Sequence, residues 1–192
     1  MIRIRYSIVE ELNELRSLDE EELLHYGGIG GYIEITCGKK SAGFFHEGPI
    51  YVGDCGNENV DYWIEKLLEV TLSFACGAVY AAFALMEEND QSLEFDRQGD
   101  RISMQIALAG NRFKNTLFIS SEDSKRTGKI QTEDNSADMA EFRTAVLNTA
   151  ERFIREIELR EPLAAKLSTV RRIEQLTKEV REYTHRISGE KQ

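Results

Sequence analysis

Two prolines, three cysteines and one tryptophan are all that 192 residues hold of these types, and no apolar run reaches the length of a membrane span. The scarcity of proline and the lack of any low-complexity tract argue against a disordered chain. The longest apolar stretch, residues 75–86, falls well short of the roughly 20 residues that a membrane-crossing helix needs. Cys37, Cys55 and Cys76 are odd in number and form no CxxC pair, which points to reduced thiols rather than a disulfide framework. A metal site would have to recruit His46 midway between Cys37 and Cys55, whereas zinc ligands pair at roughly two- to four-residue spacing. No metal and no cofactor are expected. Met1 and the residues after it alternate in polarity and lack the apolar segment of an export signal, so a cytoplasmic location is expected.

Positive charge is also short. The chain has 24 Lys+Arg against 34 Asp+Glu, a net charge of −10. The deficit is uneven: residues 1–161 carry 17 against 30, while residues 162–192 carry 7 against 4. An acidic body disfavours nucleic acid and anionic membranes and permits a basic protein partner. The hydrophobic fraction of 41% is enough for the core of one ordinary domain. One domain over residues 1–161 is expected, followed by a basic amphipathic helix over residues 162–192 that either packs on the domain or mediates self-association.

What is present is periodicity. Ile2, Ile4, Tyr6 and Ile8 alternate with Arg3, Arg5 and Ser7, the pattern of a half-buried strand. Residues 9–24 are acidic, with Leu12, Leu15 and Leu18 at helical spacing. Residues 32–37 and 42–46 read as a hairpin around Gly38-Lys39-Lys40-Ser41, and residues 49–52 as a further strand. Val60, Trp63, Ile64, Leu67, Leu68, Thr71, Leu72 and Ala75 then mark an amphipathic helix ending near Gly77. Residues 78–85 read as a buried strand. Residues 92–96 and 101–108 form a hairpin through Gln98-Gly99-Asp100, and residues 112–120 add another strand. After a polar connector at residues 121–135, Met139, Phe142, Val146, Thr149, Phe153 and Ile157 make one helical stripe, ended by Glu161-Pro162. Leu163, Leu167, Val170, Ile173, Leu176, Val180, Tyr183 and Ile187 make a second. The expected class is α+β: a largely antiparallel sheet of about seven strands, one inserted helix and two C-terminal helices.

Chemical motifs are weak. Gly27-Gly28-Ile29-Gly30-Gly31 precedes a strand instead of opening a helix, so it reads as a link and not as a dinucleotide loop. Gly38-Lys39-Lys40-Ser41 lacks the upstream glycine of a phosphate-binding loop and reads as a turn. His25, His46 and His185 are scattered, and no serine or cysteine has the surroundings of an activated nucleophile. The carboxylates stand out instead. Asp19-Glu20-Glu21-Glu22 form the densest cluster, and Asp54, Glu58 and Asp61 surround the start of the inserted helix. These seven are the expected partner-binding residues, since complementary charge speeds association and selects partners.

Taken together, the hairpin order, the Phe44-Phe45 strand, the helix Asp61-Tyr62-Trp63-Ile64-Glu65-Lys66-Leu67-Leu68, the strand Leu93-Glu94-Phe95-Asp96 and the helix Glu141-Phe142-Arg143-Thr144-Ala145-Val146-Leu147 form a succession. It resembles the small acidic α+β immunity proteins of bacterial polymorphic-toxin and contact-inhibition systems. The resemblance spans about residues 30–160 and implies a non-enzymatic cytoplasmic inhibitor that occludes a basic toxin. The basic helix after Pro162 departs from the pattern. Two other expectations stand beside it: a homo-oligomeric scaffold joined through residues 163–187, and an enzyme using Asp54, Asp61 and His46.

Overall fold

The computed structural model describes residues 1–9, 12–47, 58–85, 91–108, 117–121 and 136–189, with side chains through Thr184. The chain is α+β, with antiparallel strands throughout. Where about seven strands were expected in one sheet, nine strands among the described residues form two. The first holds β1 (Ile2–Ile8), β2 (Gly30–Cys37), β3 (Lys40–Phe44) and the short β4 (Glu58–Asn59), with β2 central. The second has the order β8-β5-β6-β7-β9, made of β5 (Tyr80–Ala84), β6 (Gln91–Gln98), β7 (Arg101–Leu108), β8 (Leu117–Ser120) and β9 (Ser136–Asp138). The physical reason lies in β4 and β9. Each pairs briefly with its sheet and then runs straight into a helix, so the backbone leaves the sheet instead of extending it. The expected strand at residues 49–52 and the connector at residues 122–135 lie outside the described residues.

Local chemistry explains the elements. In β1 the even-numbered residues are buried and Arg3 is exposed, with Ile2 opposite Cys37 and Ile8 opposite Gly31 on β2. Both hairpin turns are tighter than the sequence suggests. Lys40 still pairs with Cys37, and Gln98 with Arg101, leaving two-residue turns at Gly38-Lys39 and Gly99-Asp100. Gly38 and Gly99 make this feasible, with φ of 61° and 60°, where a side chain is disfavoured.

Two short helical pieces follow β1: a 3-10 turn, Leu12–Ser17, and α1, Glu20–Leu24. The inserted helix, α2 (Val60–Ala75), is buried on more than one side. Beyond the expected stripe it also buries Val70 and Ser73. An aromatic chain ties it to the second sheet and to α3 (Met139–Arg160): Trp63 meets Phe83 at 5.8 Å, Phe83 meets Phe95 at 6.1 Å, and Phe95 meets Phe142 at 5.6 Å. Asp138 caps α3 by accepting from the Ala140 and Glu141 amides.

Glu161 is extended before Pro162, as a residue preceding proline prefers, and a 3-10 turn (Pro162–Lys166) leads into α4, Ser168–Gly189. The seam of α4 is docked, not free. Val170, Ile173, Leu176 and Val180 are each at most 1% exposed, packed with α2 and α3. Burying side chains of this kind is worth about 1.5–3 kcal/mol each, so the covered seam dominates over surface ion pairs. Two basic residues of α4 and one of the turn before it pair with the chain's own body: Arg172 reaches Glu69 at 3.4 Å, Arg181 pairs with Glu151, and Lys166 reaches Glu20 at 3.8 Å. Self-association by the residue 163–187 seam would therefore first require undocking this helix, which corrects the premise of the scaffold reading.

Candidate functional site

The expected partner-binding residues divide by burial. Leu15 and Leu23 anchor the acidic segment in the core, at 0% and 4% exposure. On that anchor, Asp19 and Glu22 complete a capping box. The Asp19 carboxylate accepts from the Glu21 and Glu22 amides, and Glu22 Oε2 accepts from the Asp19 amide at 2.9 Å. Asp19, Glu20, Glu21 and Glu22 are all exposed, as is Glu14 on the preceding turn. Two of the four clustered acids thus fix the turn, and Glu20 and Glu21 project from it.

The acids at the start of α2 behave otherwise. Glu58 is half-buried and its Oε2 accepts from Trp63 Nε1 at 3.1 Å, holding the indole. Asp61 is 1% exposed, and its Oδ1 accepts from the Ile29 amide at 3.0 Å. Burial pushes its carboxyl above the usual range, partly opposed by the Ile29 hydrogen bond. Asp61 is therefore corrected from a docking residue to an interior one that ties the glycine-rich link to α2. Asp54 lies outside the described residues.

His46 does not join Asp61. It is exposed, stacks on Phe44 at 6.4 Å, and lines an open concavity with Arg3, Arg5 and Arg152. Cys37 is buried and its thiol is pushed up to about 11 by that burial, which disfavours a nucleophilic thiolate. Cys55 lies outside the described residues. Among the described residues, no three potential ligands converge for a metal, and no helix is long and apolar enough to cross a membrane. A second concavity of about 410 Å³ lies near the start of α3, lined by Arg97 and Arg143 together with Asp100 and Asp138. Arg97 there already donates to the Phe74 carbonyl at the end of α2.

One feature escaped sequence reading. Along β6, Leu93 and Phe95 face the core as expected, yet the alternate residues Ser92, Glu94 and Asp96 are also buried, at 0%, 0% and 1% exposure. Register aligns two rows across the sheet: Ser120, Tyr80, Asp96 and Ser103 in one, and Phe118, Ala82, Glu94 and Gln105 in the other. Gln105 Nε2 donates to Glu94 Oε2 at 2.8 Å. Buried carboxylates demand compensation by hydrogen bonds or opposite charge, so this face is a polar interior and not a solvated surface. A signal existed: the neighbouring strand Tyr80–Ala84 is apolar on both faces, the mark of a strand covered on both sides.

The fold and this surface define an antiparallel α+β protein with a rigidly presented acidic turn. No protein-family model, curated protein or solved structure matches the chain.

Proposed function

We propose that the chain acts by binding, docking a cationic protein partner on the acidic surface formed by Glu14 and Asp19–Glu22, in the manner of an immunity protein that occludes a basic toxin. The observation that carries this is the capping box. It holds exposed carboxylates on a short helix anchored in the core through Leu23, with Leu15 of the preceding turn also buried, so little backbone freedom is lost on docking. Nearby positive charge is partly engaged: Arg16 pairs with Glu161, and Lys166 lies 3.8 Å from Glu20. Glu14 and Glu21, with Glu20 only loosely held by Lys166, steer a cationic partner, a contribution that acts mainly on the association rate.

The test is co-expression with a toxin-like domain encoded beside the chain, followed by association kinetics on the purified pair. The native chain should restore growth and form a complex. The Glu14→Lys/Glu20→Lys/Glu21→Lys variant should slow association about tenfold or more at low salt. A complex that forms equally fast with the triple variant, or no complex at micromolar concentration, overturns the reading.

A further inference from the structure

Against a net charge of −10, one concavity gathers three arginines. It measures about 490 Å³ and lies over the outward side chains of β1, where Arg3 and Arg5 converge with Arg152 of α3, with His46 beside them. Two of the guanidiniums sit over aromatic rings. Arg5 stacks on Phe45 at 4.5 Å and Arg152 on Tyr6 at 4.4 Å. A ring beneath a guanidinium restrains its position, and the N–H groups are what meet an oxyanion.

The concavity already shows which anion it accepts. Arg5 donates through Nε and Nη2 to Glu34, at 3.1 and 2.6 Å, and through Nη1 to Glu47 at 3.0 Å. Glu34 is well shielded, but the Glu47 side chain is 77% exposed and sits on Arg5 from the rim. An exposed ion pair of this kind contributes little and is readily exchanged. Arg3, also exposed, makes no ion pair among the described residues. Ser7 Oγ, on the same face of β1, is buried with no hydrogen-bond partner among the described residues. Arg5 with its displaceable carboxylate, Arg3 with no ion pair among the described residues, Arg152 and the Ser7 hydroxyl bring a set of donors to one concavity.

We infer that this concavity docks an acidic segment of a partner protein, whose carboxylates displace Glu47 from Arg5 and engage Arg3 and Arg152. An acidic peptide fits better than a nucleic acid. A polyanion long enough to bind through its backbone would extend over a strongly acidic body, whereas a few carboxylates are confined to the pocket. A covered strand edge also argues for side-chain recognition over strand addition. Glu141 accepts from the Ile2 amide and Arg160 donates to the Ile8 carbonyl, so α3 guards both ends of β1. The inference stands on its own residues and does not require the acidic turn to bind anything.

Fluorescence anisotropy of a fluorescein-labelled hexaglutamate peptide, titrated with the full chain at low ionic strength, tests it. Arg3→Glu should weaken binding about tenfold or more, the loss of a charge-assisted contact. Glu47→Gln should tighten it about two- to fivefold by removing the resident competitor. The Glu14→Lys/Glu20→Lys/Glu21→Lys variant should leave it at least as tight, which separates this site from the acidic turn. Since Arg3 is exposed, its variant should keep the native melting temperature. Binding unchanged in both Arg3→Glu and Glu47→Gln overturns the inference. So does tighter binding of a hexanucleotide than of the peptide, or full displacement of the peptide by equimolar inorganic phosphate.

Discussion

Arg16 Nε donates to Glu161 Oε2 at 2.7 Å, joining residues 145 apart in the chain. Glu161 is a corner on which three elements meet. Its amide donates to the Ile157 carbonyl to end α3, its Oε1 accepts from the Leu163 amide at 3.3 Å to start the next turn, and its Oε2 holds the Leu12–Ser17 turn through Arg16.

The Arg16 hydrogen bond, helped by the Leu163 amide, holds the Glu161 carboxyl below its ordinary range. A depressed carboxyl adds stability that is present above the unfolded value and lost as pH falls through the folded one. Glu161→Gln should therefore lower the melting temperature near neutrality. In acid, once pH has fallen below the lowered folded value, the variant and the native chain should converge. Thermal melts across pH give the answer, and a constant difference down to strong acid would contradict it.

Asp61 has the opposite sign. Burial raises its carboxyl, so the stability linked to it is present in acid and is lost as pH rises through the folded value. Asp61→Asn keeps an acceptor for the Ile29 amide and removes the buried charge, so it should match the native chain in acid and exceed it at neutral and higher pH. Asp61→Ala strands that amide and should fall below Asp61→Asn by about 1–3 kcal/mol in chemical denaturation.

The docked α4 is part of the core. Ile173→Ala, at a residue 0% exposed, should cost about 2–5 kcal/mol. Ending the chain at Glu161 would uncover the face of α2 on which α4 lies. The truncated chain should lose its cooperative unfolding transition and associate non-specifically on size exclusion, rather than run as a stable monomer. A sharp transition and a monomeric mass would show that α4 is dispensable.

Much of this was legible residue by residue. The alternation of Ile2, Ile4, Tyr6 and Ile8, the stripe Phe142, Val146, Phe153, Ile157 and the break at Glu161-Pro162 each appear in the structure where the pattern places them. Sheet membership was not legible, because strand neighbours separated by a helix carry no local mark of which ladder they join. Among the acids, the capped turn at Asp19–Glu22 is exposed as its density suggests, but Asp61, Glu94 and Asp96 are interior. Alternation reports which side of a strand a residue faces, and says nothing of whether a second layer covers that side.

By itself, then, the sequence determined what short-range physics controls: the periods of strands and helices, the places of the hairpin turns, the break at Glu161-Pro162, and the excess of negative charge. Only the tertiary structure decided which charges meet. It buries Asp61 beneath Ile29, lays α4 over α2, and gathers Arg3 and Arg5 with Arg152 from the far end of the chain into a cationic hollow on an acidic protein. Coulomb forces and desolvation depend on distance and burial in space, and neither can be counted along a chain.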